Sequence, residues 1–166
     1  MYKKLCLALV LSALPITAGA GSAPSLTPIL HASEGWINGP VGARELRGKV
    51  VLVDVFTFAC YNCRNVTPNL RALQHERAGQ VVIVGIHSPE TPYEKNRANV
   101  VSNLKELAIT WPVAIDNSFA LWRAYGVDAW PTQMIFDRHG RWRKTVVGDS
   151  QDDVVNAEIA RLVAEK

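Results

Sequence analysis

The chain of 166 residues is poor in cysteine, with three, and carries no marked excess of either charge. Three cysteines cannot build a multi-disulfide framework or a four-cysteine zinc centre. His75, His87 and His139 fall at no metal-ligand spacing from the cysteines, so neither a metal nor another cofactor is expected. The formal charge is +3. Lys3 and Lys4 lie in a first segment without acids, and the remainder holds 16 basic and 15 acidic residues, about +1. That balance gives no electrostatic case for binding nucleic acid or anionic lipid. Internal repeats and low-complexity tracts are absent, and no apolar run reaches the ~20 residues that span a bilayer. What is present is an ordinary globular mixture, 48% hydrophobic and 20% charged, enough for one domain with one sizeable core.

The first twenty residues read as an export signal. Lys3 and Lys4 form a positive start, Leu5 to Leu14 a short apolar stretch, and Ala18-Gly19-Ala20 a small-residue cleavage pattern. Cys6 precedes most of the apolar stretch, too early to be a lipidation site, and cleavage near Gly21 would remove it. Domain boundaries follow: a signal peptide over 1–20, a Ser/Pro-rich loose tether over 21–34 and a folded domain over 35–166. The expected location is periplasmic or otherwise exported, and soluble after cleavage. The two cysteines left, Cys60 and Cys63, stand in Cys-Xaa-Xaa-Cys spacing. A staple closing so short a loop constrains the unfolded chain little, so the pair reads as chemical rather than structural.

Along the chain, Trp36-Ile37 opens the domain and Lys49 to Phe58 is a strand buried on both faces. A helix over 61–78 ends at Gly79, and Gln80 to His87 is a second apolar strand, which makes the pair parallel. A helix over 91–108, a strand over Pro112 to Ile115 and a helix over Ser118 to Tyr125 follow. Thr132 to Phe136 and Arg141 to Val147 form a hairpin, and Ser150 caps a last helix running to Ala164. The fold class is α/β, a central mixed sheet flanked by helices.

Cys60 falls just past a strand and Cys63 in the first turn of the next helix, where the positive dipole end favours a thiolate. Cys60 is therefore read as the exposed attacking sulfur and Cys63 as the shielded resolving one. Asp54, six residues before Cys60 and inside the most hydrophobic strand, has the placement of a proton relay for the second thiol. His87 ends the second strand on the same edge of the sheet as the cysteine loop.

The stretch from Val53 through Asp54 to Cys60-Tyr61-Asn62-Cys63 resembles the active-site strand and helix of the thioredoxin-like superfamily. Pro68 matches the proline of that helix, and Trp130-Pro131-Thr132 resembles the family's cis-proline loop, with Gly148 closing the next strand. The added helix and strand at 91–115 are similar to the exported TlpA/DipZ-type members, the redoxin/AhpC-TSA-like branch. Val84 to Glu90 and Pro112 to Asn117 carry the same likeness. The resemblance implies a thioredoxin-like fold and an exported thiol–disulfide oxidoreductase acting on exported thiol or disulfide proteins. It implies a reductant, with cytochrome c maturation among the processes it could serve, and a separate membrane electron carrier of CcdA/DsbD type to recharge it. Trp130, Pro131, Tyr61 and Asn62 are then the substrate-binding positions.

Two departures stand out. The family has Trp before the first cysteine and Gly-Pro between the pair, whereas this chain has Ala59 and Tyr61-Asn62. The intervening residues help set thiol acidity and potential. Thr57-Phe58-Ala59-Cys60 also reproduces the Thr-Xaa-Xaa-Cys element of thiol peroxidases, but Val53 stands where that peroxiredoxin-like family has proline. A non-catalytic binding module on the same fold is the third reading.

Overall fold

The computed structural model describes residues 23–165. The segment read as an export signal, Cys6 included, lies outside the described residues. In chain order the elements are α1 (Thr27–Leu30), β1 (Trp36–Ile37), α2 (Ala43–Leu46), β2 (Val50–Phe56), α3 (Tyr61–Glu76) and β3 (Val81–His87). A 3-10 turn (Pro92–Lys95) precedes α4 (Arg97–Glu106), β4 (Val113–Ile115) and α5 (Ala120–Ala124). The chain then completes β5 (Thr132–Phe136), β6 (Trp142–Val147) and α6 (Asp152–Ala164).

The six strands form one mixed sheet in the order β1-β4-β3-β2-β5-β6. Strands β2, β3 and β4 run parallel, while β5 is antiparallel to β2 and β6 to β5. All seven residues of β2 are buried, as a central strand covered on both faces requires. Alternation sends Val50, Leu52 and Phe56 to one side and Val51, Val53 and Val55 to the other. The first face carries α3 (Val66, Leu70, Leu73), α4 (Val100, Leu104) and α6 (Val155, Ile159, Leu162). The second carries α1 and α5, through Ile29, Leu121 and Tyr125. Each such side chain, fully buried, contributes roughly 1.5–3 kcal/mol. Among the described residues no helix is long and apolar enough to cross a membrane.

Four expectations are corrected. The tether is not loose throughout: Thr27–Leu30 is a helical turn whose Ile29 is fully buried and donates its N–H to the Tyr125 hydroxyl at 3.2 Å. The helix expected over 91–108 is broken at Asn96, where the backbone is extended and the side chain caps α4 by accepting the N–H of Ala98 at 2.8 Å. Ser150 does not cap α6, because it adopts φ +61° and Gln151 occupies the cap position. The helix expected over Ser118 to Tyr125 shortens to α5, since Phe119 takes φ +60° and the buried Asp116 carboxylate receives the N–H groups of Leu121 and Trp122.

Candidate active site

Strand β2 ends at Phe56, and the chain turns so that the Cys60 N–H donates to the Thr57 carbonyl at 3.3 Å. Cys60 thereby becomes the N-cap of α3, with its Sγ accepting the Cys63 N–H at 3.2 Å. The two cysteines are disulfide-bonded, with Cα atoms 5.3 Å apart. Cys60 is half-buried and Cys63 is 3% exposed, packed with Val66 and Phe58 in the core. A sulfur at this helix end meets unpaired backbone N–H groups and the positive dipole, both of which favour the thiolate. Between the cysteines, Tyr61 is 77% exposed and Asn62 is exposed as well.

Asp54 is 3% exposed, on the sheet face that α3 covers. It pairs with Gln133 across β2 and β5. Burial drives its carboxyl up to about 7, and the polar Gln133 side chain beside it offsets this only in part. Among the described residues its Oδ1 has no partner. A carboxyl that changes charge near neutrality, behind a buried thiol, has the acidity a proton relay needs.

The third part of the site comes from far along the chain. Val55 pairs with Thr132, which sets Trp130 and Pro131 beyond the end of β2, on the edge where the cysteine loop begins. The Trp130–Pro131 peptide bond is cis. Pro131 is buried, and its carbonyl accepts the N–H of Gly148 at 2.9 Å. Trp130 is half-buried, its ring 4.3 Å from that of Trp122 and its Nε1–H donating to the Ser88 carbonyl at 3.0 Å. Ser88 in turn donates its hydroxyl to Asp116 at 2.8 Å and its N–H to Phe56 at 3.0 Å.

A further cluster lies beneath the cysteine loop. His87 is fully buried, stacked on Phe58 (5.4 Å between centroids) and edge-on to Phe56 (5.6 Å), with Nε2 3.3 Å from Thr57 Oγ1. Burial drives its pKa down to about 4, so the imidazole is neutral at physiological pH. The Thr57 hydroxyl donates to Glu94, also fully buried. Glu94 accepts the N–H groups of Glu90 and Thr91 at 2.9 and 2.6 Å. Burial pushes its pKa up, but hydrogen bonds from Thr57 and Thr91 outweigh this and hold the carboxyl below its usual range. Sequence reasoning singled out His87 but missed Glu94, Ser88 and Gln133. The spacing from Thr91 to Glu94 is a capping-box signal that would have revealed Glu94. Among the described residues no group of three or more His, Cys, Asp or Glu side chains converges to hold a metal ion.

Comparison with known proteins agrees with this geometry. The family model described as thioredoxin-like matches residues 48–142. Protein DipZ of Mycobacterium tuberculosis is 32% identical over 148 residues, which is 86% of this chain and 21% of DipZ. The chain thus spans about a fifth of that relative's length. Thiol-disulfide oxidoreductase YkuV of Bacillus subtilis is 25% identical over 139 residues, 83% of this chain and 94% of YkuV. A solution structure of a thioredoxin-like protein in the oxidized form superposes with a TM-score of 0.75, at 24% identity, over 81% of this chain and 92% of that one. With its disulfide-bonded Cys-Xaa-Xaa-Cys pair and its mixed six-stranded sheet, the chain belongs to the thioredoxin-like family.

Proposed function

We propose that this protein works outside the cytoplasm as a reductant of exported disulfide-bearing proteins, through Cys60 and Cys63. The observation that carries the reading is the inequality of the two sulfurs: Cys60 half-exposed at a helix cap, Cys63 buried with an acid of near-neutral pKa on the sheet face behind it. The Cys60 thiolate attacks one sulfur of the substrate disulfide, forming a mixed disulfide and releasing the other as a thiolate that takes a proton. Asp54 as carboxylate removes the Cys63 proton, and the Cys63 thiolate attacks Cys60 Sγ. That step expels the second substrate thiolate and leaves Cys60–Cys63 oxidised. Two electrons have passed to the substrate, and a dithiol donor must restore the pair. A membrane carrier of CcdA/DsbD type suits that role. Trp130, Pro131, Tyr61 and Asn62 form the rim that would receive a substrate strand, Pro131 through backbone and Tyr61 through an exposed ring.

Export rests on the signal-like residues 1–20, and cytochrome c maturation on the resemblance to TlpA/DipZ-type proteins. The direction of electron flow is tested by the reduction potential of the pair, equilibrated against glutathione. A value near that of thioredoxin, ~−270 mV, is expected; one above roughly −160 mV would make the protein an oxidant instead. A peroxidase reading is disfavoured by Thr57, whose hydroxyl is committed to Glu94 rather than open to peroxide. Fast, Cys60-dependent consumption of hydrogen peroxide in stopped flow would reverse that preference.

A further inference from the structure

We infer that Glu94 is a positioning residue for Cys60, a buried negative charge that opposes the α3 dipole and keeps the redox pair reducing. The inference rests on Cys60 being the attacking sulfur. A cysteine at a helix N-terminus is normally made more acidic, which stabilises the dithiol form and turns the disulfide into an oxidant. Glu94 works against that tendency from a different element, the turn after β3. It grips the loop that presents Cys60 through the Thr57 hydroxyl, and the carbonyl of that same Thr57 accepts the Cys60 N–H at 3.3 Å.

Its surroundings leave the charge uncompensated. Among the described residues no lysine or arginine pairs with it, and the neighbouring Lys95 is exposed. His87, the titratable group on the far side of Thr57, is neutral at physiological pH. Glu90, which lends its N–H, directs an exposed side chain to water. A fully buried carboxylate is also poorly screened by salt, so its effect on the neighbouring thiol persists at high ionic strength.

Glu94→Gln tests this with little change in shape. The amide oxygen can still accept the Glu90 and Thr91 N–H groups, and the amide nitrogen can donate to Thr57, so the hydrogen bonds survive while the charge goes. The Cys60 thiolate is titrated by its ultraviolet absorbance, and the disulfide is equilibrated with glutathione. Glu94→Gln is expected to favour the thiolate about tenfold and to shift the equilibrium about tenfold toward the dithiol, about 30 mV. Glu90→Gln, which removes an equal but exposed charge, is expected to move neither. Thr57→Val, which removes a hydrogen bond but keeps the charge, is expected to lower the melting midpoint and move the thiolate equilibrium less than twofold. Equal shifts in Glu94→Gln and Thr57→Val would reduce Glu94 to a structural brace and overturn the inference. Wild-type protein gives an independent reading: 1 M salt is expected to leave the Cys60 thiolate equilibrium within about twofold, and a larger shift overturns the inference. Mass mapping of the thiol first alkylated by iodoacetamide separates the two levels. Labelling at Cys63 would refute the assignment of Cys60 as attacking sulfur, whereas labelling at Cys60 with no shift in Glu94→Gln refutes only the role of Glu94.

Discussion

Replacing Asp54 by Asn should stabilise the oxidised protein, and more so as pH rises. Asp54 is buried, and burial lifts its carboxyl from an ordinary 3.8 to about 7. The folded state therefore holds its proton more tightly than the unfolded state does. Below pH 3.8 both states are protonated and the site has no linkage effect on stability. As pH rises between the two values the unfolded chain ionises first, and stability is lost with a slope approaching 1.4 kcal/mol per pH unit. Integrated over that window, the penalty is about 2 kcal/mol at pH 5 and about 4 kcal/mol at pH 8, where it has levelled off. Asn does not titrate and keeps the shape next to Gln133. The variant's stability relative to wild type should rise by about 2–3 kcal/mol between pH 5 and pH 8, whatever fixed cost the amide carries. Urea unfolding of the disulfide form at both pH values measures this without interference from the thiols. A pH-independent difference would refute the claim that Asp54 changes charge in the interior. In the reduced enzyme the same substitution should slow resolution of a mixed disulfide while leaving its formation nearly unchanged.

Three further outcomes are expected. Cys63→Ser should trap a mixed disulfide between Cys60 and a substrate thiol, visible as a mass adduct released by dithiothreitol, while Cys60→Ser should form none. Ile29→Ala should cost about 2–5 kcal/mol in denaturant unfolding, because Ile29 is fully buried under α5; a loss under 0.5 kcal/mol would make α1 dispensable. Gly85→Ala should destabilise by about 1–3 kcal/mol in the same assay, since a Cβ would meet Val113 at 2.9 Å and Phe56 at 3.0 Å in the packed sheet.

Much of the fold was legible because its signals are local. The β-branched run of β2 and β3 and the apolar spacing of Val66, Leu70 and Leu73 each state their own geometry. Cys60, Cys63 and Asp54 were legible for the same reason, standing together on one strand and the helix that follows. What escaped depends on contacts between distant segments. Asn96 and Asp116 are exceptions, short-range caps on the N–H groups of Ala98 and Leu121 set inside stretches whose apolar spacing masks them. Ile29 looks like part of a polar tether until Tyr125, 96 residues away, is brought to its backbone. Glu94 reads as a surface acid in an amphipathic stretch. Only the turn at Thr91 and the approach of Thr57 bury it.

The segment from Ser88 to Lys95 touches both halves of the site, holding Trp130 through the Ser88 carbonyl and the Thr57–Cys60 turn through Glu94. The redox centre is therefore not a portable cassette. Transplanting Cys60-Tyr61-Asn62-Cys63 into another thioredoxin scaffold would carry the sulfurs and leave behind the wall they lean on. An engineer wishing to move this protein's redox behaviour would have to lift strand, crossover turn and proline loop together, as one unit of inheritance.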